Sequence, residues 1–164
     1  MSNFRIGHGY DVHKLIVSHP LIICGIMIDS PKGSLGHSDG DVGYHAICDA
    51  ILGALALGDL GTYFPSSDSK WSGSDSSIFL NKILQLMIKH NYLINNIDCT
   101  IILQAPQLSP YIKEMRENIA KICNVNINQI SIKATTTDRL GSIGRGEGIG
   151  SSAMVLLKKV CNES

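Results

Sequence analysis

The 164-residue chain has no excess of charge: 14 basic side chains stand against 14 acidic ones, and the pI is near 7. A surface that coats nucleic-acid phosphates needs a basic face, so the balance argues against nucleic acid as the main partner. There is no C-x-x-C pair, and the cysteines, Cys24, Cys48, Cys99, Cys123 and Cys161, are five, an odd number. Each sits among apolar neighbours, where cysteine acts as a small hydrophobe, and a reducing cytoplasm is the expected setting. No apolar run is long enough to cross a bilayer: residues 21–28 and 47–57 are the longest, and the second contains Asp49. Residues 1–10 lack the apolar core of a secretory signal. An apolar fraction of 44% without any repeat excludes collagen-like, disordered and coiled-coil chains. What remains is a soluble protein of one domain with no membrane partner.

Alternation predicts a strand over residues 3–13 and a second over 20–28, followed by a turn at Pro31-Lys32-Gly33. Val42, Ala46, Ile47, Ala50, Ile51, Ala54 and Leu55 recur at helical spacing, predicting a helix over 38–57 capped by Ser38 or Asp39 and ended by Gly58. Residues 58–74, rich in Gly, Ser, Asp and Pro, read as a long loop, which at that length is often functional. Asp75 caps a helix over 76–90, a strand follows over 97–105, and Ser109-Pro110 opens a third helix to about residue 123. Strands over 130–137 and 151–160 flank a glycine-rich loop, 141–150. This order predicts a single α+β domain, 1–164, with helices on one face of a small sheet. Three helices do not cover both faces, so the bare face calls for a second subunit and a homo-oligomer.

Polar chemistry gathers in four places. Asp11 and His13 share one face of a strand, offering an oxygen and a nitrogen ligand of the type zinc accepts, although such a pair is also common as a surface hydrogen bond. His37, Asp41, His45 and Asp49 are spaced by four. Either His37 and His45 both bind metal, or His45 completes the Asp11/His13 site while His37 stands at the helix mouth; Asp49, one turn beyond His45, is placed to orient its ring. The plain alternative is that the aspartates only complement the helix dipole. Thr135, Thr136 and Thr137 offer donors to a phosphate and Asp138 a ligand for a hard cation, while threonine is also simply a good strand former. The loop 141–150 has neither P-loop nor Rossmann spacing, and Arg145 and Glu147 are placed to pair.

Six motifs occur in order: Arg5-Ile-Gly-His-Gly-Tyr-Asp-Val-His13, His37-Ser-Asp-Gly-Asp41 with His45, Gly58-Asp-Leu-Gly61 with Phe64-Pro-Ser-Ser-Asp68, Gln104-Ala-Pro106, Lys133-Ala-Thr-Thr-Thr137 and Gly144-Arg-Gly-Glu-Gly148. Together they make residues 5–157 resemble the 2-C-methyl-D-erythritol 2,4-cyclodiphosphate synthase family of the non-mevalonate isoprenoid pathway. The resemblance implies a homotrimer with active sites between adjacent subunits. It implies the substrate 4-diphosphocytidyl-2-C-methyl-D-erythritol 2-phosphate, whose 2-phosphate attacks its own β-phosphorus to give the cyclic diphosphate and CMP.

The resemblance also implies residue roles. Asp11, His13 and His45 would hold Zn²⁺, with Val12 and Ser38 beside the substrate. His37 and Thr136 would stabilise the transition state. Thr135, Thr136, Thr137 and Asp138 would line the diphosphate and a second cation, Mg²⁺ or Mn²⁺. Leu103, Gln104, Ala105, Pro106, Gln107, Leu108 and Ser109 would form the cytidine pocket. Asp59, Leu60, Gly61, Phe64, Pro65, Ser66, Ser67 and Asp68 would hold the methylerythritol end, with Ser142 and Arg145 also lining the substrate. Such a reaction needs no protein nucleophile, only in-line folding of a polyanion and neutralisation of its charge, which metals supply to a protein of zero net charge. The chain departs from the family's pattern at Asp138, where glutamate is usual, at Ser142, often aromatic, and at Ser152, a glutamate elsewhere.

Overall fold

The computed structural model describes residues 3–160. In chain order they form β1 (Phe4–Val17), β2 (Leu21–Ile23), β3 (Ile26–Ile28), β4 (Lys32–Leu35), α1 (Val42–Leu55), α2 (Leu60–Tyr63), α3 (Ser76–Lys89), β5 (Tyr92–Ile102), α4 (Ile112–Cys123), β6 (Ile130–Thr135), α5 (Gly141–Gly144) and β7 (Gly148–Lys159). Single 3-10 turns lie at Ser69–Trp71 and Ile127–Gln129. The main sheet runs β4-β1-β7-β5-β6, and β2-β3 is a separate hairpin. Only β5 and β6 are parallel, which requires a crossover that α4 supplies.

The α+β class and the placing of the large helices on one sheet face agree with the sequence pattern. Residues at odd positions of β1 face α1 and even positions face away. Gly7 and Gly9 are buried, whereas Ile6 is 64% and Tyr10 55% exposed. Ile97, Cys99, Ile101, Ala153, Val155 and Leu157 continue the buried face, against Ala46, Ile47, Ala50 and Ile51 of α1 and Leu80 and Ile83 of α3. Cys24, Cys48 and Cys99 are core residues and Cys123 is half-buried; Cys161 lies outside the described residues. Among the described residues, no helix is long and apolar enough to cross a membrane.

Several expected boundaries move, each for a local reason. Residues 20–28 are not one strand: Cys24 and Gly25 take φ of 53° and 77° and fold the run into the β2-β3 hairpin. The expected turn at Pro31-Lys32-Gly33 instead enters an edge strand, because β1 continues past His13 and pairs Val17 with Lys32. Asp41, not Ser38 or Asp39, caps α1, its carboxylate accepting from the Gly43 and Tyr44 amides, and the helix stops at Ala56 with φ 58° rather than at Gly58. The loop 58–74 contains α2 and a 3-10 turn. α4 starts at Ile112, since Ser109-Pro110 belongs to a preceding turn closed by Tyr111 N–H on the Leu108 carbonyl. β5 already begins at Tyr92, β6 ends at Thr135, and the glycine-rich loop holds α5 before β7 starts at Gly148.

Candidate active site and metal centre

The first site is built by the contact of α1 with β1. Both Gly7 and Gly9 face the helix backbone so closely that no Cβ fits. That approach brings His45, on the first turns of α1, over Asp11 and His13 of β1. Asp11 Oδ2 lies 3.0 Å from His13 Nε2 and 3.0 Å from His45 Nδ1, and the two ring nitrogens are 3.1 Å apart. The open alternatives of the sequence thus close on Asp11, His13 and His45 as the ligand-type cluster. His37 stands apart, its Nε2 3.1 Å from the Asp68 carbonyl oxygen. A carbonyl only accepts, so Nε2 carries a proton there and Nδ1 is left to meet another group.

The donor set fits a divalent metal of zinc type. Bonds of about 2.0–2.1 Å at tetrahedral angles separate neighbouring ligand atoms by about 3.3 Å, close to the spacing observed. Protons satisfy the cluster poorly. If both rings donate to Asp11, two N–H groups face each other, whereas one cation meets all three lone pairs. Burial alone would raise the Asp11 carboxyl, but the bonds from His13 and His45 override it and hold the group far below its usual 3.8. Burial likewise works to lower His45, and its bond to Asp11 wins, raising the ring above its usual 6.5.

Around this cluster His37, Ser38, Leu60, Phe64, Ser66, Trp71 and Phe79 enclose a cavity of about 100 Å³. Phe64, Trp71 and Phe79 pack ring against ring at centroid distances of 4.5–5.7 Å. Trp71, Phe79 and Ser76 were not legible as site residues; the only signal was the Asp75 cap, which puts Ser76 at the first helical position of α3. Asp49 does not orient His45. Its Oδ1 accepts the Leu60 amide at 2.7 Å and so ties α1 to α2, which carries Leu60 into the cavity. Asp59 caps α2 through the Thr62 amide, and Asp68 caps the 3-10 turn through the Lys70 amide. Gly61, Pro65 and Ser67 lie exposed on the same stretch. Asp41 is buried and accepts four amides, from Cys24, Gly25, Gly43 and Tyr44, which locks the β2-β3 hairpin to α1. Burial pushes its carboxyl up to about 6 against the pull of those donors.

A second cavity, of about 380 Å³, is lined by Leu103, Gln104, Pro106, Gln107, Leu108, Ser109, Thr135 and Thr136. It shares no residue with the first. Asp11, Ser151, Ile101 and Ala134 occupy one row across β1, β7, β5 and β6. With strands about 4.8 Å apart, the Thr136 end of β6 lies roughly 14 Å from the metal cluster. Within one chain, His37 and Thr136 line different cavities. Gln104 Oε1 accepts the Arg139 amide at 3.0 Å, joining the two loops of this second site. Thr137 is bonded to the Leu140 carbonyl. The Asp138 amide meets Thr136 Oγ1, and its exposed carboxylate suits a cation that keeps most of its waters. A third cavity, of about 310 Å³, includes Ala105 and Arg145, and the latter pairs with Glu147 at 2.8 Å as its spacing suggested. Ser142, on α5, is exposed, and Val12 points to the bare sheet face.

Comparison with known proteins points one way. The model of the YgbB family matches residues 4–158. The chain is 54% identical over 157 residues to the 2-C-methyl-D-erythritol 2,4-cyclodiphosphate synthase of Pseudoalteromonas atlantica, covering 96% of this chain and 97% of that one. It is 54% identical over 155 residues to the Clostridium perfringens synthase, covering 94% and 99%. Among solved structures, the CDP complex of Plasmodium falciparum IspF superposes with a TM-score of 0.86 at 39% identity, over 98% of this chain and all of that one. The bifunctional IspDF of Campylobacter jejuni gives a TM-score of 0.92 at 37% identity over 96% of this chain, which spans 42% of that longer protein.

Proposed function

The chain belongs to the YgbB family and is an enzyme of the 2-C-methyl-D-erythritol 2,4-cyclodiphosphate synthase type; from that premise we propose how its residues carry out the cyclodiphosphate-forming reaction of isoprenoid biosynthesis. The substrate is 4-diphosphocytidyl-2-C-methyl-D-erythritol 2-phosphate. A 2-phosphate oxygen forms a new bond to the β-phosphorus, the bond from that phosphorus to the bridging oxygen breaks, and CMP leaves with that oxygen. The observation that carries this reading is the convergence of Asp11 Oδ2, His13 Nε2 and His45 Nδ1 at 3.0–3.1 Å beside His37.

Zn²⁺ held by Asp11, His13 and His45 would supply a Lewis acid to a phosphate oxygen, with Mg²⁺ or Mn²⁺ on the diphosphate near Asp138. The rest is positioning. His37 is anchored through Nε2 on the Asp68 carbonyl, and its Nδ1 donates to a phosphate oxygen when the ring carries a proton on both nitrogens. Leu60, Phe64, Trp71 and Phe79 give the methylerythritol end an apolar, water-poor wall. The cytidine end sits against the loop 103–109, with Gln104 holding the Arg139 amide and so steadying the Thr136 loop beneath the diphosphate. Thr136 Oγ1 donates to the oxygen on which charge develops.

The roughly 14 Å between the two half-sites supports assembly of one site from adjacent subunits, and the exposed Phe4, Ile6, Tyr10, Val12 and Met154 give the uncovered sheet face an apolar surface for a homotrimer. The free, buried thiols of Cys24, Cys48 and Cys99 suit a reducing cytoplasm as its place of work. The test is turnover in ¹⁸O-labelled water with Zn²⁺ and Mg²⁺. CMP and an unlabelled cyclic diphosphate are expected. CMP together with an uncyclised product carrying solvent oxygen would make the protein a phosphohydrolase instead.

A further inference from the structure

The ring of His45 is gripped on both sides. Nδ1 belongs to the cluster with Asp11 and His13, while Nε2 lies 3.0 Å from Ser76 Oγ, a side chain with no exposed surface at the head of α3. Ser76 Oγ is in turn in short contact with Asp39 Oδ1, and Asp39 Oδ2 accepts the Ser76 amide at 3.0 Å. Asp39 also accepts the Asp41 amide at 3.1 Å, so its carboxylate is fixed from two sides.

A carboxylate only accepts, so the Ser76 hydroxyl proton lies on the Asp39 side and an oxygen lone pair faces His45. Nε2 must then carry a proton, and in the zinc-loaded protein the neutral ring's Nδ1 lone pair faces the metal position between Asp11 and His13, the form a metal ligand needs. Ser38 Oγ is also 3.1 Å from Nε2, but its other partners are the Ser76 hydroxyl and the Gly40 amide, not a carboxylate.

We propose that Asp39 and Ser76 form a carboxylate–hydroxyl relay that fixes the tautomer and orientation of His45 and thereby sets the affinity of the metal centre. Both are positioning residues; neither touches the metal or the substrate. The relay couples α3 to α1, so the metal centre depends on a helix that contributes no ligand to it. This inference rests on the reading of Asp11, His13 and His45 as a zinc site.

The test is the zinc dissociation constant of the purified protein, measured by chelator competition, for Ser76→Ala, Asp39→Asn and the double variant. The downfield proton signal of His45 Nε2–H in the zinc-loaded protein is recorded alongside. The relay predicts a 10–100-fold loss of zinc affinity in each single variant. It also predicts a double variant no weaker than Ser76→Ala alone, and a displaced Nε2–H signal in Asp39→Asn. Folded variants that hold zinc as tightly as the unaltered protein overturn the proposal, as do losses that multiply in the double variant. Should Ser76→Ala fail to fold, Asp39→Asn alone decides by affinity and proton signal. An unaltered protein that binds no zinc overturns the metal-centre reading itself, which separates the two failures.

Discussion

Gly9 of β1 lies against the Ala46 carbonyl of α1 so closely that a Cβ at residue 9 would stand 2.0 Å from that oxygen and 2.7 Å from the Ala50 amide nitrogen. The same holds one pleat earlier, where a Cβ on Gly7 would meet the Ala50 carbonyl oxygen at 1.8 Å. These are backbone atoms and cannot rotate away. Gly9→Ala must therefore push helix and strand apart, costing about 1–3 kcal/mol of stability. It should also widen the gap between His45 and Asp11 and weaken zinc retention. Thermal melting and metal analysis check both; an unchanged melting point together with full zinc content would contradict the packing argument.

The roles of the two half-sites separate by mutation. His45→Ala should lose zinc and activity together. Thr136→Ala, roughly 14 Å away by the strand spacing, should keep its zinc while kcat falls by about 10²–10³. Equal zinc loss in the two variants would show that the division of roles is wrong. Steady-state kinetics with metal content on the same samples is the measurement.

In the metal-free protein the stability contributed by the Asp11–His45 pair should have a defined pH window. Asp11 titrates lower folded than unfolded, so its contribution is present above its usual 3.8 and lost as pH falls through the folded value. His45 titrates higher folded, so its contribution is complete below 6.5 and lost as pH rises through the folded value. The pair thus stabilises most between pH 3.8 and 6.5. Melting points of chelator-treated protein should fall on going from pH 6 to pH 9 more steeply than those of His45→Ala. Parallel curves would contradict the assignment.

Ile6 and Tyr10, both on the uncovered sheet face, offer a test of assembly. Ile6→Asp puts a charge into that face without touching the core, so the chain should fold, sediment as a monomer and lose activity. A fully active monomer would remove the need for a site shared between subunits.

The pairing of Asp11 with His13 and the α+β class were legible because they follow from local rules: the two residues share a strand face by alternation, and the apolar spacing of residues 42–55 is helical; His45 as their third member came from the family resemblance, since spacing by four left His37 equally open. The cap of α1 was misplaced because Ser38, Asp39 and Asp41 are all good capping residues, and only the amides of Cys24 and Gly25, distant in sequence, select Asp41. Asp49 was read as the partner of His45 because it lies one turn on. Its Nε2 instead meets Ser38, seven residues back, and Ser76, 31 residues away on another helix, and the second contact leaves no periodic trace. Trp71 and Phe79 were invisible as cavity walls for the same reason.

The cluster of Asp11, His13 and His45 is expected to hold a divalent metal. An anomalous difference map collected at the zinc edge, on crystals of active protein prepared without chelator, tests it most directly. One peak per chain within bonding distance of Asp11 Oδ2, His13 Nε2 and His45 Nδ1 is the predicted result. A map with no peak there, from protein that still turns over substrate, would contradict it.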